Sequence, residues 1–195
     1  MKDPSRPWPL FLSDYLRGVA ISLLSLFSTI FIYKTAGEFL GNQGGLLAVP
    51  LFFFGLYLFK LISNIWAENL AQNLGLKKQI YFGQGFLVLT LGCLFWAKSQ
   101  PLLILPASVL WGLSAGFYWF GWHGLMAKAG ILGFFGRQLG TFGAVSGLFS
   151  LWVPFLGGVV ITKFGYPVLF LVSLFFVILS LLTLEKLEEE KTHVD

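Results

Sequence analysis

Charge is what this chain lacks most. Asp, Glu, Lys and Arg make up 11% of its 195 residues, while 56% are hydrophobic and the mean hydropathy is +0.79. A soluble domain carries about 25% charged residues, because its surface must be solvated. A water-soluble helical globule would also need a polar face on each helix, and the long apolar segments here have none. Cysteine is almost absent: Cys93 stands alone inside an apolar run, so an internal disulfide framework is excluded and the residue reads as packing. Histidine is confined to His123 and His193. There is no His-Glu-x-x-His, no phosphate-cradling glycine loop, and no Ser–His or paired-Asp arrangement within an apolar segment. The sequence therefore offers nothing for a metal, a nucleotide cofactor or an intramembrane protease. The 13 basic residues are spread singly, without the clustering that nucleic acid binding requires.

What the chain has instead is apolar length. Crossing the hydrocarbon layer takes about 20 mostly apolar residues, and six segments meet that measure: 17–33 (extensible back through 10–16), 46–66, 80–97, 102–126, 139–161 and 167–184. The expectation is an all-α membrane protein, one six-helix transmembrane bundle over residues 1–185, with a charged cytoplasmic tail at 186–195. The apolar stretch after the polar Met1–Pro9 is longer than a signal-peptide core of roughly 7–15 residues and has no small-residue cleavage site, so it is expected to be retained. Residues 36–45, with Gly-Asn-Gln-Gly-Gly, read as a turn-rich outer loop, and 98–101 and 163–167 as tight hairpins. With both termini inside, Lys2, Arg6, Arg17, Lys77, Lys78, Lys128, Arg137, Lys186 and Lys191 are cytoplasmic, against Lys34, Lys98 and Lys163 outside. That nine-to-three split fits the positive-inside rule and predicts a multi-pass protein of the cytoplasmic membrane with both ends inside.

The fifth segment carries Gly133, Gly136, Gly140, Gly143 and Gly147, spaced three, four, three and four apart on one helix face. Such a face lets a neighbouring helix approach closely. Pro154 followed by Gly157 and Gly158 reads as a hinge or a static kink. Ionisable groups inside the segments are few. Lys60 either snorkels to the interface or contacts a solute. His123, beside Trp122, reads as interfacial or as a proton relay, and Asp14 with Arg17, three apart, as a structural pair. The aromatics around Tyr118 and Trp119 form either an interfacial belt or a cavity lining, these two offering an apolar body with a hydrogen-bonding handle.

The stretch Leu70-Ala71-Gln72-Asn73-Leu74-Gly75-Leu76-Lys77-Lys78 resembles the signature between spans two and three of the major facilitator superfamily, Gly-x-Leu-Ala-Asp-Arg-x-Gly-Arg-Lys. Leu70, Ala71, Gly75, Lys77 and, by charge, Lys78 fit it. Glu68, Gln72 and Asn73 stand where that family has glycine, aspartate and arginine. Pro154-x-x-Gly157-Gly158 is similar to the end of the family's antiporter motif, with Phe149 and Val153 in place of its earlier glycines. The resemblance covers about residues 10 to 185 and implies the N-terminal six-helix half of a secondary transporter. It implies an inner-gate loop at Glu68, Gln72, Gly75, Lys77 and Lys78, and a substrate path near Tyr118, Trp119 and Lys60. It also implies a second six-helix bundle, on a partner chain or a second copy, met through the glycine face, with a small-molecule substrate whose identity the sequence leaves open. The rival expectation is a truncated or split-gene membrane protein with a structural, partner-binding role. Gln72 cannot carry the charge of the family's gate latch, and the fourth segment has no arginine, so proton antiport is not implied.

Overall fold

A computed structural model describes residues 8–129 and 135–185, apart from the side chains at 129, 135, 137–139, 142, 145, 146, 149 and 150. The first seven residues, Gly133 and the charged tail at 186–195 lie outside the described residues, as do the side chains of Arg137 and Phe149. The elements are α1 (Trp8–Leu74), α2 (Leu76–Trp96), a 3-10 turn (Pro101–Leu103), α3 (Ile104–Ala129), α4 (Phe135–Phe164) and α5 (Tyr166–Glu185). No strand occurs among the described residues.

At 67 residues α1 would be a rod about 100 Å long if it were straight. It is broken at Gly41, whose φ of 78° and ψ of 171° leave the helical region. The two arms, 8–40 and 42–74, fold back on each other. A methyl group placed on Gly45 would lie 2.6 Å from the Tyr33 carbonyl oxygen and 3.2 Å from Gly37 Cα. The loop expected over 36–45 is thus reduced to one residue. An apolar medium penalises every unsatisfied peptide group, and a single left-handed glycine reverses the chain with the fewest groups left open. Gly75 (φ 86°) and Gly165 (φ 82°) end α1 and α4 in the same way. Their N–H groups donate to the carbonyls of Ala71 (3.1 Å) and Ile161 (2.9 Å), the left-handed helix cap that favours glycine.

Among the described residues α3 packs on α2 and α1, α5 packs on α1 and α2, and α4 touches only α1 and α5. The main core joins Leu24 and Phe31 of the first arm with Leu87, Leu94, Trp111 and Phe170. A second core joins Leu10, Ile80, Trp122, Met126 and Leu184. The second arm and α3 approach each other closely through their backbones. A Cβ on Gly112 would collide with the Leu56 carbonyl oxygen and lie 2.9 Å from Lys60 N, and one on Gly116 would strike Ser63 Oγ. Ser63 Oγ donates to the Lys60 carbonyl at 2.9 Å and lies 3.4 Å from the Gly112 carbonyl, stitching the two helices together.

Polarity is distributed inside out. Ser13, Ser63, Gln79, Gln84, Ser114 and Ser180 are buried, while Phe54 (66% exposed), Leu105 (60%) and Leu151 (73%) face outward. In water such a surface would forgo about 25 cal/mol for each Å² of apolar area left exposed; in hydrocarbon it is the solvated surface. Thr90, Ser108 and Ser173 bond back to the carbonyls of Phe86, Leu105 and Leu169 at 2.7–3.0 Å, so their hydroxyls need no water. Among the described residues four helices are long and apolar enough to cross a membrane: Trp8–Leu74, Leu76–Trp96, Tyr166–Glu185 and the run Pro101–Lys128. The chain is a helical, membrane-embedded protein.

Candidate functional site

Two polar features lie side by side at one end of the bundle. The first is internal. Asp14 and Arg17, one turn apart on the first arm, meet Tyr118 of α3. Tyr118 is fully buried; its hydroxyl donates to Asp14 Oδ1 at 2.8 Å, and the Arg17 guanidinium carbon sits 3.7 Å from its ring centroid. One tyrosine thus takes the anion at its hydroxyl and the cation on its face, a geometry that holds both charges away from lipid. Gly83 permits it, because a Cβ there would lie 2.7 Å from Tyr118 N and 2.9 Å from the Ser114 carbonyl. Alongside, Gln84 Nε2 donates to Ser180 Oγ at 2.8 Å, and Ser180 is 2.8 Å from both the hydroxyl and the carbonyl oxygen of Ser13. Four helical segments are tied together by these bonds. Arg17 Nε, Gln84 Oε1 and Ser114 Oγ are buried with no hydrogen-bond partner.

The second feature opens outward. A cavity of about 860 Å³ lies between the second arm and α3, lined by Lys60, Asn64, Trp119, Phe120, His123 and Gly124. The Trp119 and His123 rings stack with centroids 5.3 Å apart and planes 25° apart. His123 also lies within electrostatic reach of Asp14, which connects cavity and internal cluster.

Lys60 and Trp119 therefore line one outward-open space, whereas Tyr118 is buried in the core. In the 70–78 stretch Gly75 makes the turn, Glu68, Gln72 and Lys78 are exposed, and Lys77 is half-buried. Gln79, just after it, donates to the Ala67 carbonyl across the turn. On α4 a Cβ at Gly136, Gly140, Gly143, Gly147 or Gly158 would meet nothing within 4 Å. Gly157 alone of that set packs inside the bundle, against Phe27 and Leu23 of the first arm, and Pro154 lies within the continuous helix. Four closely packed glycines, Gly112, Gly116, Gly121 and Gly124, are on α3. The sequence signal for the first two was Ser108, Gly112 and Gly116 at intervals of four, a small-xxx-small pattern hidden among the aromatics. The Arg17–Tyr118 contact had no sequence signal, since it joins residues 101 positions apart.

Among the described residues no three His, Cys, Asp or Glu side chains come together as a metal site. No family model matches the chain, and no curated protein or solved structure matches it either.

Proposed function

We propose that the chain is one six-helix bundle of a secondary transporter for a small solute, set in the cytoplasmic membrane with both termini inside. The observation that carries this reading is the open cavity between the second arm and α3, where Lys60, Asn64 and His123 stand beside the aromatic rings of Trp119 and Phe120. Two 33-residue arms, each about 50 Å long, supply two crossings from α1. With α2, α3, α4 and α5 the total is six. The 70–78 stretch, a one-residue turn flanked by Lys77 and Lys78, suits the anionic inner face and agrees with the likeness to the major facilitator superfamily. In that design two bundles rock about a midplane site.

The partner is a second bundle, either another chain or another copy, seated on the face of α4 that carries Gly136, Gly140, Gly143 and Gly147. The exposure of that whole glycine register also favours a second reading, a membrane protein that binds a partner without transporting anything. Reconstitution separates the two. Liposomes holding the chain with a partner bundle should show saturable uptake from a panel of sugars, lipophilic drugs and small organic anions. Flux absent with and without the partner would leave the partner-binding reading standing and end the carrier reading.

A further inference from the structure

The residues of the cavity specify more than its existence, and the geometry points to an anion-binding site: a planar solute bearing one carboxylate or phosphate, its charge on Lys60 and Asn64 and its flat body against the Trp119–His123 stack. This rests on reading the cavity as a solute site. The lining comes as two pairs, Lys60 with Asn64 on the second arm and Trp119 with His123 on α3. Each pair is four residues apart and so shares a helix face.

The backbone under Lys60 is held in place. Its amide nitrogen lies against Gly112, its carbonyl oxygen lies 3.0 Å from where a Gly116 Cβ would be, and that oxygen also accepts from Ser63. The side chain is the part left free. Among the described residues neither the Lys60 ammonium nor the Asn64 amide has a hydrogen bond or ion pair. An ammonium without a counter-ion at an open cavity is available to an anionic ligand, and ionisable groups within apolar segments mark ligand or ion paths. Of the nearby acids, Asp14 is engaged by the Tyr118 hydroxyl, and Glu68 lies two turns beyond Lys60 on the same helix face, where it is exposed and is not part of the cavity lining. Asp14 and Arg17 offset each other in charge, and Lys60 brings the ammonium into the cavity lining itself. The stacked indole and imidazole present a broad flat wall, and a cation there would face like charge from Lys60.

The same chemistry is met by a soluble aromatic acid or by the headgroup of an anionic lipid, and the test distinguishes them. The purified full chain is placed in nanodiscs of phosphatidylcholine, and tryptophan emission is followed as 4-nitrobenzoate is added. Saturable quenching is expected, with 4-nitrobenzyl alcohol and 4-nitrobenzylamine giving only the linear, collisional component. Lys60→Gln should raise the half-saturation point roughly tenfold, the loss of one charge-assisted contact, while Lys60→Arg keeps it within a few-fold. Trp119→Phe should remove most of the saturable signal, which places the probe in this cavity. Repeating the titration in phosphatidylglycerol nanodiscs separates the sources. An unchanged midpoint assigns the site to soluble acids, and a midpoint raised for the native chain but not for Lys60→Gln assigns it to the lipid headgroup. Equal quenching by acid and alcohol, or a Lys60→Gln chain of native helicity with the native midpoint, overturns the anion site. No flux is read here, so failure of transport with binding intact would remove the carrier reading and leave the anion site in place.

Discussion

Replacing Arg17 with methionine is expected to destabilise the bundle by about 1–3 kcal/mol, through loss of the guanidinium over the Tyr118 ring and of its charge near Asp14. Arg17 is 4% exposed and Asp14 lies within electrostatic reach of it, so the single substitution strands a carboxylate whose remaining support is the Tyr118 hydroxyl. Asp14→Asn strands the guanidinium in turn. The double variant, Asp14→Asn with Arg17→Met, removes both charges and should be far less damaged than the two single losses summed. A coupling of about 1–3 kcal/mol is the expected size for contacting groups. Tyr118→Phe removes only the hydroxyl bond to the carboxylate and should cost about 1.5–3 kcal/mol. Unfolding of the purified protein in mixed micelles, followed by far-ultraviolet circular dichroism, measures all four. Additive single effects would mean that Asp14, Arg17 and Tyr118 do not act as a unit.

Gly116→Leu is expected to be comparably severe. Its Cβ would occupy the place of Ser63 Oγ, with the Lys60 carbonyl 3.0 Å away, and neither helix can retreat without breaking the bonds from Ser63. Overpacking of a tight core costs about 1–3 kcal/mol, and a four-carbon side chain at a backbone contact belongs at the top of that range. Gly112→Leu should behave alike, because its Cβ meets the Leu56 carbonyl. Gly140→Leu and Gly147→Leu form the contrast. Both sites open into space within the chain, so monomer stability in the same unfolding measurement should be unchanged within about 0.5 kcal/mol. Their effect should appear in membrane crosslinking, where the pairing with a second bundle is lost if α4 is the contact face.

That contrast marks how far the sequence could be read. The membrane class was legible in the scarcity of charge, because a bilayer imposes a minimum apolar length that composition alone can meet or fail. The Gly75 turn was legible for a related reason, since a glycine between two helical runs has a single economical use. Which glycines pack within the chain was not legible. Spacing shows that small residues share a face, as on α4, but the neighbour on that face is a tertiary fact. Gly112 and Gly116 found one in the second arm, and Gly140 and Gly147 found none among the described residues. Gly41 shows the same limit, because Gly-Asn-Gln-Gly-Gly signals a turn without saying that one residue makes it and that Gly45 is used for packing. Asp14 and Arg17 could be paired from their spacing, yet the ring that lies between them in the fold belongs to a helix about a hundred residues away. Lys60 and Trp119 each suggested a solute contact, but only the close seat of the second arm on Gly112 and Gly116 brings them to one cavity.

The roles proposed for the cavity and the glycine face depend on the proposal of six crossings with both ends inside. Single cysteines placed in the turns of a Cys93→Ala background, labelled in intact cells with a membrane-impermeant maleimide, test this most directly. Asn42→Cys and Gln100→Cys should label from outside, and Gln72→Cys only after the membrane is opened. Labelling of positions 42 and 72 from the same side would show that the two arms of α1 do not each cross the membrane, and would contradict the six-span bundle.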